Sequence, residues 1–221
     1  MRRAVKRMLA ALLLVTLLLC LSGCSYLYEH ENEAVGAFDV GYSRLLRDAF
    51  LTNYMWDGTQ EGLRIETPER YGSYSVTGLG GYCGRGVPSP FHIEPSESAR
   101  ERLCPEAARW YFISTTRNID DYTLEYVQFS LHIGKNIKAA KNVWLGGLVY
   151  AECEGEVRDR VYMLTCYVTC DEENRFFYAE DGRLYERKTG ALVEGIVYAD
   201  VDLDELNEAY ESPTDTWVPF A

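Results

Sequence analysis

One run decides more about this fold than any other: residues 122–133, where side chains change face at every step. Thr123, Glu125, Val127, Phe129, Leu131 and Ile133 fall on one side of an extended chain. Tyr122, Leu124, Tyr126, Gln128, Ser130 and His132 fall on the other, so His132 sits on the more polar face. A helix cannot present a period of two, and a half-buried strand is expected. Its neighbours read the same way. Residues 110–116 are dense in aromatic and β-branched side chains, and 117–121 reads as a turn. Residues 143–153 and 160–170 make two further runs joined by the turn-like 154–159, which predicts an antiparallel pair. Asp181-Gly182, between 175–180 and 183–187, is the strongest hairpin signal in the chain. Lys188-Thr189-Gly190 turns the chain again into 191–199. Together these runs predict a long antiparallel meander.

Ahead of the meander the period changes. Phe38, Tyr42, Leu45, Ala49 and Trp56 recur at largely helical spacing from Glu33 onward, flanked by Arg44, Arg47 and Asp48. The spacing predicts a helix that stops before Asp57-Gly58. Short strands follow at 63–66 and 73–77, and Pro95 starts a short helix through Ser98, Ala99, Arg102 and Leu103. A last helix is expected at 203–210. The fold class is therefore α+β: an N-terminal helix packed on a large, mainly antiparallel sheet, with a short C-terminal helix. One domain is expected over 33–212, then an irregular tail over 213–221. The order of helix then meander resembles that of small cystatin-like exported domains, an architectural analogy that implies no function.

The N-terminus carries a different message. Arg2, Arg3, Lys6 and Arg7 precede a leucine-rich run over 9–21, and small residues close it. That order is an export signal. The run is about thirteen residues, short of the ~20 that a membrane-spanning helix needs. It ends in Leu21-Ser22-Gly23-Cys24, which resembles the lipobox of bacterial lipoproteins. The resemblance implies a signal peptide over 1–23, cleavage between Gly23 and Cys24, and acyl lipid on Cys24. It further implies a tether over 24–32 and a cell-membrane location on the extracytoplasmic face. An ordinary secretory signal with an incidental Cys24, or an uncleaved membrane helix, is the competing reading of the same residues.

Charge matters here because it excludes partners. The chain carries a net charge of −12, and removing 1–23 leaves 18 basic against 34 acidic residues, or −16. Nucleic acid is a poor partner for such a surface, since its affinity comes from Lys and Arg neutralising phosphates. Anionic lipid would be repelled too, so membrane attachment falls to the lipid on Cys24. Of the seven cysteines, five remain once Cys20 and Cys24 are set aside: Cys83, Cys104, Cys153, Cys166 and Cys170. The odd number leaves at least one without an internal partner. Cys83 and Cys104 are the pair best placed for a disulfide, closing a loop worth ~3 kcal/mol in the chain-entropy model. Cys166 and Cys170 lie ~13 Å apart on one face of an extended run and cannot bond each other.

Few residues point to chemistry. The glycine-rich piece around Gly80, Gly81, Tyr82 and Arg85, followed by His92, is the candidate ligand loop. It has neither G-x-G-x-x-G spacing nor a P-loop Lys-Ser/Thr, so it is no phosphate cradle. Lys135, Lys138 and Lys141 form the one basic cluster of the mature chain and are expected to share a helical face. Asp200, Asp202 and Asp204 alternate like a calcium loop, but Glu205 stands where an EF-hand needs glycine, so helix capping is expected instead. No nucleophile elbow, H-E-x-x-H or C-x-x-C pair is present, and no metal or cofactor is expected. A Cys–His enzyme would need a cysteine folded beside His92 or His132. The expected function is a non-catalytic binding or adaptor module near the membrane, with an envelope protein, peptide or small ligand as partner. An extracytoplasmic hydrolase is the first alternative. A solute-binding component of an importer is the second, without the repeated α/β halves of such proteins.

Overall fold

The computed structural model describes residues 28–59, 63–83, 87–105, 109–113, 123–153, 156–198 and 218–219. The signal segment, Cys24, Arg85, the acidic run from Asp200 and the expected helix 203–210 lie outside the described residues.

The strands in chain order begin with β1 (Glu29–Val35), β2 (Phe38–Ser43), β3 (Asp48–Trp56), β4 (Leu63–Glu66), β5 (Arg70–Tyr71) and β6 (Tyr74–Leu79). Then come β7 (Gly81–Cys83), β8 (Val87–Ser89), β9 (His92–Pro95), the helix α1 (Glu97–Leu103) and β10 (Arg109–Ile113). The second half holds β11 (Thr123–Ile133), β12 (Ala139–Ala140), β13 (Val143–Trp144), β14 (Gly146–Cys153) and β15 (Glu156–Cys170). Last are β16 (Phe177–Glu180), β17 (Arg183–Glu186), β18 (Ile196–Val197) and β19 (Val218–Pro219).

This is a mostly β protein, and the α+β expectation is corrected. No N-terminal helix packs on a sheet; that stretch is the antiparallel meander β1–β2–β3. The helical spacing arose from the turn between β2 and β3. There Arg47 N–H donates to the Ser43 carbonyl at 2.8 Å, while Leu45 and Leu46 point into solvent. The strands on either side are buried on both faces, from Phe38 through Gly41 and from Ala49 through Thr52. A doubly buried strand shows no period of two, so length and spacing misassign it. The only helix among the described residues is α1, capped by Ser96, whose Oγ accepts the Ala99 N–H at 3.2 Å.

Two large sheets share one core. The first has the order β1-β2-β3-β6-β12, with β5 on β6 and β9 beside β6 on the same edge of β3. The second runs β19-β10-β14-β15-β11-β4. Trp56 from the first meets Phe129 and Tyr162 of the second edge-on, at 6.0 and 5.6 Å between ring centroids. Val40, Leu51, Ile65, Leu79, Val127 and Leu131 are all within 1% of full burial around them. The alternation in β11 is as the sequence implies. Val127, Phe129, Leu131 and Ile133 face the core, while Tyr126, Gln128, Ser130 and His132 face outward.

The sheets are mixed, which corrects the mainly antiparallel expectation. β14 and β15 pair antiparallel as expected, but β11 runs parallel to both β15 and β4. The cause is an excursion. After Ile133 the chain crosses to the first sheet, where β12 pairs with β6, before β14 brings it back. The Asp181-Gly182 hairpin joins β16 to β17 with φ of 49° and 75°, the pair of left-handed residues that a type I′ turn requires. Cys166 is buried and Cys170 half-buried, both as free thiols, and burial pushes them up to about 12 and about 11.

Candidate functional site

Strand pairing builds the first constellation. Asp39 lies opposite Asn53 across β2–β3, and Asn53 lies opposite His92 across β3–β9. Opposed residues share a sheet face, and Glu94, two residues past His92, joins them. Asp39, His92 and Glu94 are all buried. Asn53 Nδ2 donates to Asp39 Oδ2 at 2.9 Å and to Glu94 Oε1 at 3.2 Å. The other Asp39 oxygen accepts the Glu33 N–H at 2.7 Å. From α1, Arg100 reaches back to Glu94 Oε2 at 3.0 Å and donates through Nε to the Pro95 carbonyl at 2.8 Å.

Burial dominates the electrostatics of this group. It pushes His92 down to about 4 and Glu94 up to about 7; Arg100 pulls Glu94 downward and Asp39 pushes it upward. The 3.9 Å approach of His92 Nε2 to Glu94 Oε2 is therefore a neutral imidazole beside a carboxyl group at pH 7, not an ion pair. Shifted groups of this kind mark active sites and structural networks alike. Here both oxygens of Glu94 are bonded to protein groups and its side chain is only 9% exposed. The network ties β2, β3, β9 and α1 together.

The described residues of the expected ligand loop fall on different strands, Gly81 and Tyr82 on β7 and His92 on β9. Gly80 has φ of 60°, and a Cβ there would overlap the Lys141 carbonyl. A Cβ on Gly81 would overlap the Phe50 ring, and so would one on Gly41. Phe50 thus lies against two glycines, which gives their composition a packing reason. His92 faces Asn53 across the sheet, and β7 pairs with β8 instead. The side chains of Tyr82 and Cys83 lie outside the described residues, as does Arg85. Cys104 carries a free thiol, and the side chain of Cys83, the other half of the expected disulfide, lies outside the described residues. His132 Nδ1 lies 3.0 Å from Thr169 Oγ1 on the outer sheet face. The three lysines do not share a helical face: Lys135 sits in a turn, and Lys138 and Lys141 flank the short strand β12.

A second constellation stands out only in three dimensions. β11 and β15 run side by side and end together at Ile133 and Cys170, so the segments that follow emerge at the same end of the sheet. The first makes a turn closed by Ile137 N–H on the Gly134 carbonyl at 3.2 Å. The second is pinned to it by Asn174, which is 1% exposed. Asn174 Nδ2 donates to the Gly134 and Ile137 carbonyls at 2.9 and 3.0 Å. Its Oδ1 accepts the N–H groups of Phe176 and Phe177, both at 2.8 Å. Arg187 adds bonds to the Asn174 and Glu172 carbonyls.

Between these segments opens a cleft of about 760 Å³, lined among the described residues by Lys135, Asn136, Glu173, Arg175 and Phe176. Lys135 Nζ lies 3.1 Å from Glu69 and 4.0 Å from Glu173, and the hydrogen bond to Glu69 raises its pKa first, with both carboxylates adding charge attraction. Arg175 is exposed and makes no ion pair or side-chain hydrogen bond among the described residues. Phe176 is 49% exposed although its backbone is held. The string Asp-Glu-Glu-Asn-Arg-Phe looks like an ordinary acidic turn. Only the long-range bonds of Asn174 reveal a fixed rim.

Among the described residues, no group of three or more His, Cys, Asp or Glu is placed to hold a metal ion. No helix among them is long and apolar enough to cross a membrane. Comparison with protein-family models, with curated proteins and with solved structures gives no match.

Proposed function

We propose that the chain is a lipid-anchored, extracytoplasmic binding module that holds its ligand in the cleft between the 134–137 turn and the 171–176 loop. The observation that carries this reading is the cleft itself: a pinned rim presents an exposed phenylalanine and an arginine with no partner among the described residues. Its volume lies within the ~300–1,000 Å³ common for ligand sites. A rim already fixed in the unbound protein loses little further entropy on binding, which favours recognition. The Leu21-Ser22-Gly23-Cys24 motif supports the anchor. Because β1 begins at Glu29, only residues 25–28 separate Cys24 from the first strand. Such a spacer reaches at most ~15 Å, which keeps the module beside the bilayer.

The hydrolase alternative would draw on Glu94 and His92. Their burial and the bonds on Glu94 favour a structural role, so binding is the stronger reading. In-cell photocrosslinking from position 136, in place of Asn136, tests it. A discrete crosslinked species that disappears when Arg175 and Phe176 are replaced together is the expected result. The same yield from an exposed control position such as Gln128, on the outer face of the second sheet, would sink the proposal. Cys24→Ser should release the protein from the membrane fraction and abolish lipid labelling; retention of both would refute the anchor.

A further inference from the structure

We infer that the cleft receives the carboxylate of a peptide chain, with Arg175 as the partner of the anion and Phe176 as the apolar shelf beside it. This inference rests on the reading of the cleft as a binding site and names the chemistry that the site selects.

The charges in the cleft are unequally committed. Lys135 is shared between Glu69 and Glu173, so its ammonium is already compensated. Arg175, on the same rim, has no such partner among the described residues. One free guanidinium presents a planar fork that matches a carboxylate with two parallel N–H···O bonds. Asn136 lines the same cleft and makes no side-chain hydrogen bond among the described residues, so its amide is a second donor available to the anion.

The remaining carboxylates limit which anion fits. Glu69 and Glu173 stand beside Lys135 and Asp171 acts on it too, so the neighbourhood holds no surplus of positive charge. A dianion or a sheet of anionic headgroups would meet those carboxylates, and the chain's net charge of −12 adds to the repulsion. A single carboxylate needs only the one uncommitted cation.

Phe176 supplies the other half of the recognition. Its N–H is held by Asn174 and its ring stays half in solvent, next to Arg175 in sequence and in the cleft. A ligand that joins an apolar side chain to a carboxylate covers the ring and neutralises the guanidinium together. A peptide chain ending in an apolar residue does this. The contact is compact and open, so affinity in the micromolar range or weaker is expected.

The test uses the full chain in phosphatidylcholine nanodiscs. The probes are a pool of tetrapeptides ending in leucine or phenylalanine, capped at the N-terminus with a neutral fluorophore, and the same pool with amidated C-termini. Fluorescence anisotropy should show saturable binding of the free-carboxylate pool. Binding should weaken roughly tenfold to a hundredfold on amidation or in Arg175→Gln, as expected for loss of a charge-assisted hydrogen bond. Phe176→Ala should weaken it several-fold. Equal binding of the amidated pool, still lost with Arg175→Gln, would overturn the carboxylate assignment and leave the cleft as a site. Binding that ignores both substitutions would overturn the cleft reading as well. Binding of neither pool overturns the inference. Recruitment of the protein to phosphatidylglycerol vesicles through Arg175 would overturn it in favour of a lipid headgroup.

Discussion

Two polar clusters of this protein contain the same kinds of groups and solve opposite problems. Asp39, Asn53, His92, Glu94 and Arg100 are gathered between strands and a helix, and both carboxylates are bonded to protein partners. Lys135, Asn136, Glu173, Arg175 and Phe176 line an open cleft, where one cation and one exposed ring have no partner among the described residues. The first cluster has the more perturbed pKa values and would draw attention as an active site. Satisfaction is the better discriminator. Carboxylates bonded at both oxygens stabilise the fold, whereas side chains left uncommitted on a pinned backbone await a partner.

The largest effect expected from this contrast is at Arg100. Arg100→Leu leaves Glu94 buried without its cation, and breaking a buried pair costs about 4 kcal/mol. The loss should be greatest near pH 8, where Glu94 is ionised, and should shrink near pH 5, where the carboxyl group takes a proton instead. Urea unfolding at the two pH values measures it. A cost under about 0.5 kcal/mol at both, the level of an ordinary surface substitution, would show that the cluster does not hold the fold together.

The next effect is in the pH dependence. Burial lowers His92 from 6.5 to about 4, so its contribution is present above pH 6.5 and lost as the pH falls through about 4. Burial raises Glu94 from 4.5 to about 7, so its contribution is present below pH 4.5 and lost as the pH rises through about 7. Between pH 4.5 and 6.5 the two slopes oppose each other, and the parent protein should look nearly flat. Glu94→Gln should unmask a loss of roughly 3 kcal/mol as the pH falls from 6.5 to 4. His92→Gln should unmask the opposite slope, a loss of similar size as the pH rises from 4.5 to 7. The slope, not the level, carries the information. Parallel profiles for both variants would mean that the two groups are not buried as described.

The contrast also governs how much could be read from sequence. β11 has one core face and one outer face, so its alternation was legible residue by residue. The Asp181-Gly182 turn was legible because its backbone demands those residue types. β2 and β3 were not: buried on both faces, they carry no period, and Leu45 and Leu46 in the turn imitated a helix. The parallel partnership of β11 and β15 depends on a crossing to the other sheet that no local signal announces. His92 stands out in the sequence by its place after the glycines, yet the fold sets it opposite Asn53 of β3, which in turn lies opposite Asp39 of β2. The cleft was half visible, since Lys135 belonged to the basic cluster. Arg175 and Phe176 acquire meaning only because Asn174 bonds a turn about forty residues earlier.

Asn174 is where the cleft resembles the buried cluster, and its effect should be intermediate. Asn174→Ala removes four hydrogen bonds and leaves the Phe177 N–H and the Ile137 carbonyl without those partners. About 2 kcal/mol of destabilisation is expected. Hydrogen exchange should show the Phe176 and Phe177 amides losing protection while β11 keeps its own. Protection lost evenly across both sheets would mean that the rim is part of the core rather than a separately pinned element.

The smallest effect is the most informative. Arg175→Gln should change stability by less than about 0.5 kcal/mol, because the side chain is exposed and bonded to nothing within the described fold. Asp39, Glu94 and Arg100, by contrast, have internal partners whose loss would register in unfolding. If Arg175→Gln proved as costly as Arg100→Leu, the guanidinium would be a structural group, and the contrast between the two clusters would collapse. If it leaves thermal unfolding unchanged and yet removes a crosslink at position 136, stability and binding separate at a single residue. That separation is the physical signature of a side chain kept for something outside the fold.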